Sequence, residues 1–379
     1  MSILKKSKLL VVDDSAFMRK LISDFFLDHP YIEVIGAARN GKDAIKKIEQ
    51  LKPDVVTMDV EMPEMNGLDA LREIMQNYPV PVIMLSSTTQ RGADNTLMAM
   101  EYGAVDFVAK PSGTISLDLH KIQDELVRKV EEASKISILK LKKPLRTSLP
   151  NNQPIRVTYA NEGFIDNVKT KPLETLKPAI LKRAWGKTSR KIILIGTSTG
   201  GPRALQEVIT KIPGTVDAPI LIVQHMPAGF TKSLATRLDQ LSEIHVKEAE
   251  QGDILKKGTA YLAPGGYHLK LRKVGSSFAV VLDQDEPPRS GHRPSVDVMF
   301  ENVSQYSDFD KIAVIMTGMG YDGSKGLVSL KNTGNVIAIA ESAETCIVYG
   351  MPKAAVETQL VDEVADVDNI AQTIMKYLP

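Results

Sequence analysis

A single cysteine, Cys346, is all the thiol chemistry in the 379-residue sequence, so an intramolecular disulfide and any disulfide-stapled fold are excluded. Long hydrophobic runs are missing too. There is no stretch of about 18 apolar residues and no charged-then-apolar leader, so no direct membrane insertion is expected and the expected compartment is the cytoplasm. The third absence is an excess of charge of one sign. Lys and Arg total 47 against 46 Asp and Glu, which leaves no electrostatic footprint for nucleic acid or anionic lipid. Neither is an expected partner, and partners have to be argued from sites.

What is present is ordinary for a soluble globular protein, with 43% hydrophobic and 25% charged residues. At about 100 to 200 residues per domain, the length calls for two domains or three. From Lys8 onward, short β-branched runs alternate with amphipathic stretches: "LLVVDD", "IEVIGAA", "DVVTMDV", "PVIMLSS" and "VDFVAK". Five such runs, each followed by a helical pattern, describe a parallel sheet covered on both faces. Between about Val127 and Arg190 the pattern decays into proline- and lysine-rich sequence, read as a linker whose basic run is a solvated tether. Alternation then resumes with "KIILIG", "PILIVQH", "KIAVIMTG" and "NVIAIA", while "TAYLAPGGYHLKLRKVGSSFAVVL" reads as a hairpin insertion. The expected fold class is α/β: an N-terminal doubly wound (βα)5 domain over 5–125, a linker over 126–188, and a mostly parallel sheet domain with an antiparallel hairpin over 189–379.

In an open α/β sheet, ligands sit beyond the carboxyl ends of the strands. Asp13 and Asp14 close the first strand and Asp59 the third, so three carboxylates converge there. They repel one another unless a cation joins them, and hard oxygen ligands suit magnesium. Ser86 ends the fourth strand and Lys110 the fifth, and a hydroxyl and an ammonium can hold the oxygens of a phosphoryl group carried by a carboxylate. Helix capping accounts for any one of these acids, but not for the whole set. The segments "VVDDSAFMR", "DVVTMDVEMPEMNGLDAL", "VIMLSS" and "DFVAKPSG" resemble the receiver domain of response regulators. That resemblance implies phosphorylation of Asp59, Mg2+ held by Asp13, Asp14 and Asp59 with a carbonyl near Glu61, phosphoryl contacts from Ser86 and Lys110, and Phe107 as an aromatic switch.

A DNA-binding helix-turn-helix output is disfavoured, because the second half is long, strand-rich and not basic. Its "GTSTGG" turn can be read two ways. As a phosphate loop it lacks the full glycine spacing and the lysine-hydroxyl pair, and as G-x-S-x-G it holds Ser198 out as a nucleophile. Among the histidines, His225 alone directly ends a buried-type strand ahead of a helix, and His268 and His292 sit in loops and stay open as substrate contacts. Asp322 follows the strand of "KIAVIMTGMGYDGSKGL", where helix capping competes with a role as orienting acid, and Asp297 is the rival carboxylate. The same turn offers backbone N–H groups around Met319 and Gly320 to an oxyanion.

The order Ser198, His225, Asp322 departs from that of α/β hydrolases. The segments "IGTSTGGP", "QHMPAGFT", "YLAPGGYHL", "GHRPSVDVMF", "MTGMGYDGSKG" and "CIVYGMPKAA" instead resemble the catalytic domain of the chemotaxis protein-glutamate methylesterases. The resemblance implies Ser198 as nucleophile, His225 as general base and acid, Asp322 as its partner and the Met319 N–H as oxyanion donor. It also implies methyl-accepting chemotaxis receptors as substrate, a chemotaxis histidine kinase as phosphodonor, glutamine deamidation as a second activity, and no cofactor for hydrolysis. A rival class is a regulated binding module holding a sugar phosphate or nucleotide at "GTSTGG", which a serine-directed fluorophosphonate would leave unlabelled.

Overall fold

The computed structural model describes residues 5–110, 119–141, 185 and 189–378. The first half carries β1 (Ser7–Val12), α1 (Ala16–Phe25), β2 (Ile32–Ala38), α2 (Gly41–Leu51), β3 (Val55–Asp59), α3 (Gly67–Asn77), β4 (Val82–Ser86), α4 (Gln90–Glu101), β5 (Asp106–Ala109) and α5 (Leu119–Ala133). All five strands are parallel, in the order β2-β1-β3-β4-β5. Each of the first four helices starts on a side chain that caps it: Ser15, Asn40, Asn66 and Thr89 accept from the backbone N–H three residues on. Each such cap contributes about 1 kcal/mol and marks the point where a strand-end loop must turn into helix.

A short α6 (Ile138–Leu141) follows, and the second half runs through β6 (Arg190–Thr197), α7 (Gly201–Ile209), β7 (Ile220–Gln224), α8 (Phe230–Leu241), β8 (His245–Glu248), β9 (Thr259–Leu262), β10 (His268–Val274), β11 (Ser277–Asp283), α9 (Val296–Ser304), β12 (Phe309–Ile315), α10 (Ser324–Thr333), β13 (Val336–Glu341), α11 (Met351–Glu357), β14 (Glu363–Ala365) and α12 (Val367–Met375). The seven-stranded sheet is ordered β14-β13-β12-β6-β7-β9-β8 with every pairing parallel, and β10 and β11 form a separate antiparallel pair. Ile192 to Ile195 of β6 are fully buried, as expected of a strand covered on both faces. Burying each such side chain is worth roughly 1.5 to 3 kcal/mol.

The fold class expected from sequence is the one observed, with local differences. Thr259–Leu262, expected in the hairpin, is a strand of the main sheet between β7 and β8, since its four residues are buried and pair in parallel on both sides. The antiparallel hairpin is β10 and β11 alone. β8 and β14 are strands without an apolar alternation to announce them. The expected boundary at 125 falls inside α5, whose Leu126, Val130 and Ala133 are buried against the first sheet. Most of the expected linker, 142–184 and 186–188, lies outside the described residues. Among the described residues no helix is long and apolar enough to cross a membrane.

Candidate functional site

Chain order reverses across β6: β7 lies on one side and β12 on the other. Loops leaving the carboxyl ends of these three strands therefore meet, which brings Ser198, His225 and Asp322 to one rim. Ser198 is held by its backbone, its N–H donating to the Thr317 carbonyl (3.0 Å) and its carbonyl accepting from Gly201 N (2.8 Å) and Gln224 Nε2 (3.0 Å). Gly200 at the start of α7 has φ +77°, a conformation a side chain would strain, and this left-handed residue lets the chain turn directly from strand to helix. Gly318 lies against the serine so closely that a Cβ there would sit 2.8 Å from Ser198 Cβ.

His225 Nε2 lies 2.7 Å from Asp322 Oδ2. An ionised carboxylate only accepts, so the proton sits on Nε2 and Nδ1 carries a lone pair. Nδ1 is buried and has no hydrogen-bond partner among the described residues. Asp322 accepts four further hydrogen bonds, from Val296 N (2.7 Å), Ser295 Oγ (2.9 Å), Asp297 N (2.9 Å) and Gly323 N (3.1 Å). Two of these donors are first-turn amides of α9, where free N–H groups and the helix dipole favour an anion. Burial alone would push the Asp322 carboxyl up. The hydrogen bond and charge of His225 and the two α9 amides instead hold it well below the usual range. The rival Asp297 accepts from Gly326 N (2.7 Å) and Gly323 N (2.9 Å), whereas it is Asp322 that hydrogen-bonds His225. Burial, with Asp322 beside it, pushes Asp297 up to about 6.

The Thr317–Gly320 turn is braced from behind. Buried Glu341, at the end of β13, accepts from Thr317 N (2.8 Å), and Thr317 Oγ1 donates to the Thr199 carbonyl (2.9 Å). Burial raises Glu341 to about 7. Met319, half-buried, lines a cleft of about 380 Å³ with Gly320, Ile347 and Tyr349 on one side and Ile136 and Lys140 on the other. Of the two histidines kept as candidate substrate contacts, His268 is fully buried and 3.2 Å from the Pro287 carbonyl, because β10 carries it into the core. His292 stacks face to face on His225.

The first half meets this rim directly. Thr199, next to Ser198, donates through Oγ1 to Asp106 Oδ2 (2.6 Å), and Phe107 stacks on Phe230 at 4.6 Å between ring centres. Arg237 pairs with Glu101 through two nitrogens (2.8 and 3.2 Å), Gln90 donates to Ser233 (2.8 Å), and Lys140 Nζ donates to the carbonyls of Ala343 (2.7 Å) and Cys346 (3.0 Å). Sequence reasoning missed Thr199, Asp106 and Glu341. The signal available for Asp106 was a charged residue opening a buried strand.

At the β1 and β3 ends, Asp13, Asp14 and Asp59 each place a carboxylate oxygen within 4.8 Å of the others. Three hard oxygen donors at this spacing fit a small divalent cation. Lys110 Nζ bridges Asp13 Oδ2 (2.9 Å) and Asp59 Oδ2 (2.8 Å). Burial raises Asp59 to about 6, against the pull of Lys110. A cleft of about 570 Å³ lined by Asp14, Glu61, Asn66 and Arg91 opens beside it. Ser86, expected to contact a phosphoryl group, is buried and turned toward α4, donating to the Gly92 carbonyl (2.9 Å).

A doubly wound domain with an acidic, lysine-bridged strand end, joined to an α/β domain with a serine, histidine and aspartate on one rim, defines a response regulator with an enzyme as its output. The response regulator receiver domain family matches residues 9–120 and the CheB methylesterase family residues 193–374. The chain is 52% identical over 375 residues to the protein-glutamate methylesterase/protein-glutamine glutaminase of Geobacillus kaustophilus, covering 99% of each. Its counterparts so named in Halalkalibacterium halodurans and Bacillus subtilis are 53% and 51% identical over 369 and 367 residues, with 97% of each chain covered. The chain belongs to the family of protein-glutamate methylesterases/protein-glutamine glutaminases.

Proposed function

We propose that the chain is a phosphorylation-controlled serine hydrolase of the cytoplasm that removes methyl groups from glutamate γ-methyl esters of methyl-accepting chemotaxis receptors and deamidates receptor glutamines. The observation that carries this reading is the His225–Asp322 hydrogen bond, which fixes the imidazole proton on Nε2 and leaves Nδ1 as a base without a partner among the described residues, on the strand-end rim that also carries Ser198. Ser198 Oγ attacks the γ-carbonyl carbon as His225 Nδ1 takes its proton, and Asp322 stabilises the imidazolium. The tetrahedral oxyanion is met by the Met319 N–H, which has no hydrogen-bond partner among the described residues. Collapse expels methoxide, which leaves as methanol with the proton from His225; from glutamine the leaving group is ammonia. Water then gives a proton to His225 as its oxygen attacks the glutamyl ester, and Ser198 recovers its proton on release of the glutamate.

Asp59 is the proposed phosphoacceptor for a chemotaxis histidine kinase, within a receiver over 5–125 that α5 extends to Ala133. Mg2+ held by Asp13, Asp14 and Asp59, with a carbonyl near Glu61, would neutralise the carboxylates and the incoming phosphoryl charge. Lys110 already lies on Asp59, and Ser86 reaches the phosphoryl oxygens by turning away from the Gly92 carbonyl. Phe107, one residue beyond Asp106, carries the change to Phe230 and to the Thr199–Asp106 bond, loosening the docked receiver.

The test is methanol release from methylated receptor membranes, with and without a small-molecule phosphodonor. Ser198→Ala is expected to lose activity by several orders of magnitude while Asp59 still takes up phosphate. Asp59→Ala should stay at its basal rate with phosphodonor present. Near-normal turnover by Ser198→Ala would overturn the serine mechanism.

A further inference from the structure

His292 has no task in the hydrolysis derived above, yet the fold places it with care. Arg289 and His292 exchange both backbone hydrogen bonds (3.0 and 2.9 Å), and the two residues between them, Ser290 and Gly291, have φ of 52° and 83°. That is a two-residue turn with left-handed central positions, a rigid connection rather than a loose loop. It delivers the His292 ring onto His225 with 3.8 Å between ring centres and 8° between planes. Two neutral rings in a face-to-face sandwich repel through their quadrupoles, whereas a cation over a neutral aromatic face is attracted to it. The stack therefore suits His225 as imidazolium, the state it reaches in the transition state, better than His225 at rest.

Of the charged groups around His292, three cations disfavour its protonation and only Asp322 favours it. His225 and Asp322 face it from the catalytic rim, and Arg128 and Lys129 face it from α5. Its chain neighbours are engaged elsewhere, Arg289 with Glu286 and Glu301, and Arg293 with the carbonyls of Gln284 and Glu286. Burial first, then the His225 and Arg128 charges, lower His292 to about 3, so the ring is neutral wherever the esterase would work. We propose that His292 is a positioning residue for the hydrolysis: its neutral ring fixes the plane of His225, with Nδ1 directed at Ser198, and stabilises the imidazolium as it forms. The inference rests on the Ser198–His225–Asp322 reading.

The deciding measurement is methanol release against pH by the full-length protein on methylated receptor membranes, comparing wild type, His292→Leu, His292→Phe and Ser198→Ala. His292→Leu keeps the site apolar but removes the ring face. It should lower kcat about 2- to 30-fold with KM within twofold, and move the acid limb of the kcat profile down by about half to one and a half pH units. His292→Phe restores the face without a titrating group and should recover most of kcat and the position of the limb. A residue that only filled space would show no such recovery. If His292→Leu does not fold, as read by melting and Asp59 phosphorylation, His292→Gln replaces it in the same comparison. A kcat and acid limb like wild type in His292→Leu, or equal impairment of the Leu and Phe variants, would overturn the proposal. Activity in Ser198→Ala would instead overturn the reading beneath it.

Discussion

Asp59 closes the central parallel strand of the first half, Asp322 lies in the turn between β12 and α10 of the second, and they are 5% and 2% exposed. Burial pushes both carboxyls up, yet Asp59 ends raised to about 6 and Asp322 ends well below the usual range. The difference lies in the donors. Asp59 shares one ammonium with Asp13 and has one long backbone contact, Glu61 N at 3.4 Å, while Asp322 accepts five hydrogen bonds. Burial sets the cost of a charge, and the number of donors decides whether it is met. An underserved carboxylate is ready for a cation and a phosphoryl group. In the proposed mechanism, a saturated one keeps its charge while its neighbour gains and loses a proton.

The largest expected effect breaks the saturated side of this comparison. Asp322→Asn puts an amide opposite Nε2, favours the wrong tautomer and removes the charge facing the imidazolium, so kcat should fall about 10⁴-fold, as in a comparable protease triad. Asp297→Asn keeps an oxygen for Gly323 and Gly326 and should cost less than about tenfold. The reverse ranking in methanol release would make Asp297 the acid. Next is the brace behind the oxyanion turn. Glu341→Leu strands a buried Thr317 N–H, a loss of roughly 1 to 3 kcal/mol, and should lower kcat about tenfold; Glu341→Gln keeps the acceptor and should stay near wild type.

On the underserved side, Asp59→Asn should stabilise the protein. The folded pKa lies above the unfolded one, so wild type loses stability as pH rises from about 4 to about 6 and the variant does not. The gap in unfolding free energy without divalent cations should grow across that window to at most about 3 kcal/mol and then level off. A gap independent of pH would mean the carboxyl titrates normally. The smallest effect concerns the contact between the halves. Arg237→Ala removes a partly exposed ion pair worth about 0 to 1 kcal/mol, so unphosphorylated basal activity should rise no more than about fivefold.

Both strand-end clusters were legible because parallel strands buried on both faces write themselves as unbroken apolar runs, and the residue ending each run is fixed by counting. "IILIG" leads to Ser198 and "ILIVQ" to His225 in this way. Polar edge strands such as Glu363–Ala365 carry no such signal. Thr259–Leu262 had the signal, but the glycines after it resemble a hairpin turn, and only the neighbours it pairs with decide its sheet. The His292 stack and the Thr199–Asp106 bond join residues 67 and 93 positions apart, and local patterning cannot anticipate contacts between separately folded layers. The Ser86 hydroxyl was placed at the right strand end, but its direction is set by the first turn of α4, which sequence spacing does not encode.

The hydrogen bond from Thr199 to Asp106 joins two parts of one chain, so its making and breaking is a unimolecular equilibrium. If the receiver is released as proposed, the fraction of molecules with the rim covered is independent of how many copies a cell contains, and dilution in an assay leaves it unchanged. A regulator bound from solution behaves otherwise, since its occupancy falls with concentration. Doubling expression would double the esterase capacity without shifting the balance between resting and released forms, and that balance would respond only to the fraction of chains carrying a phosphoryl group.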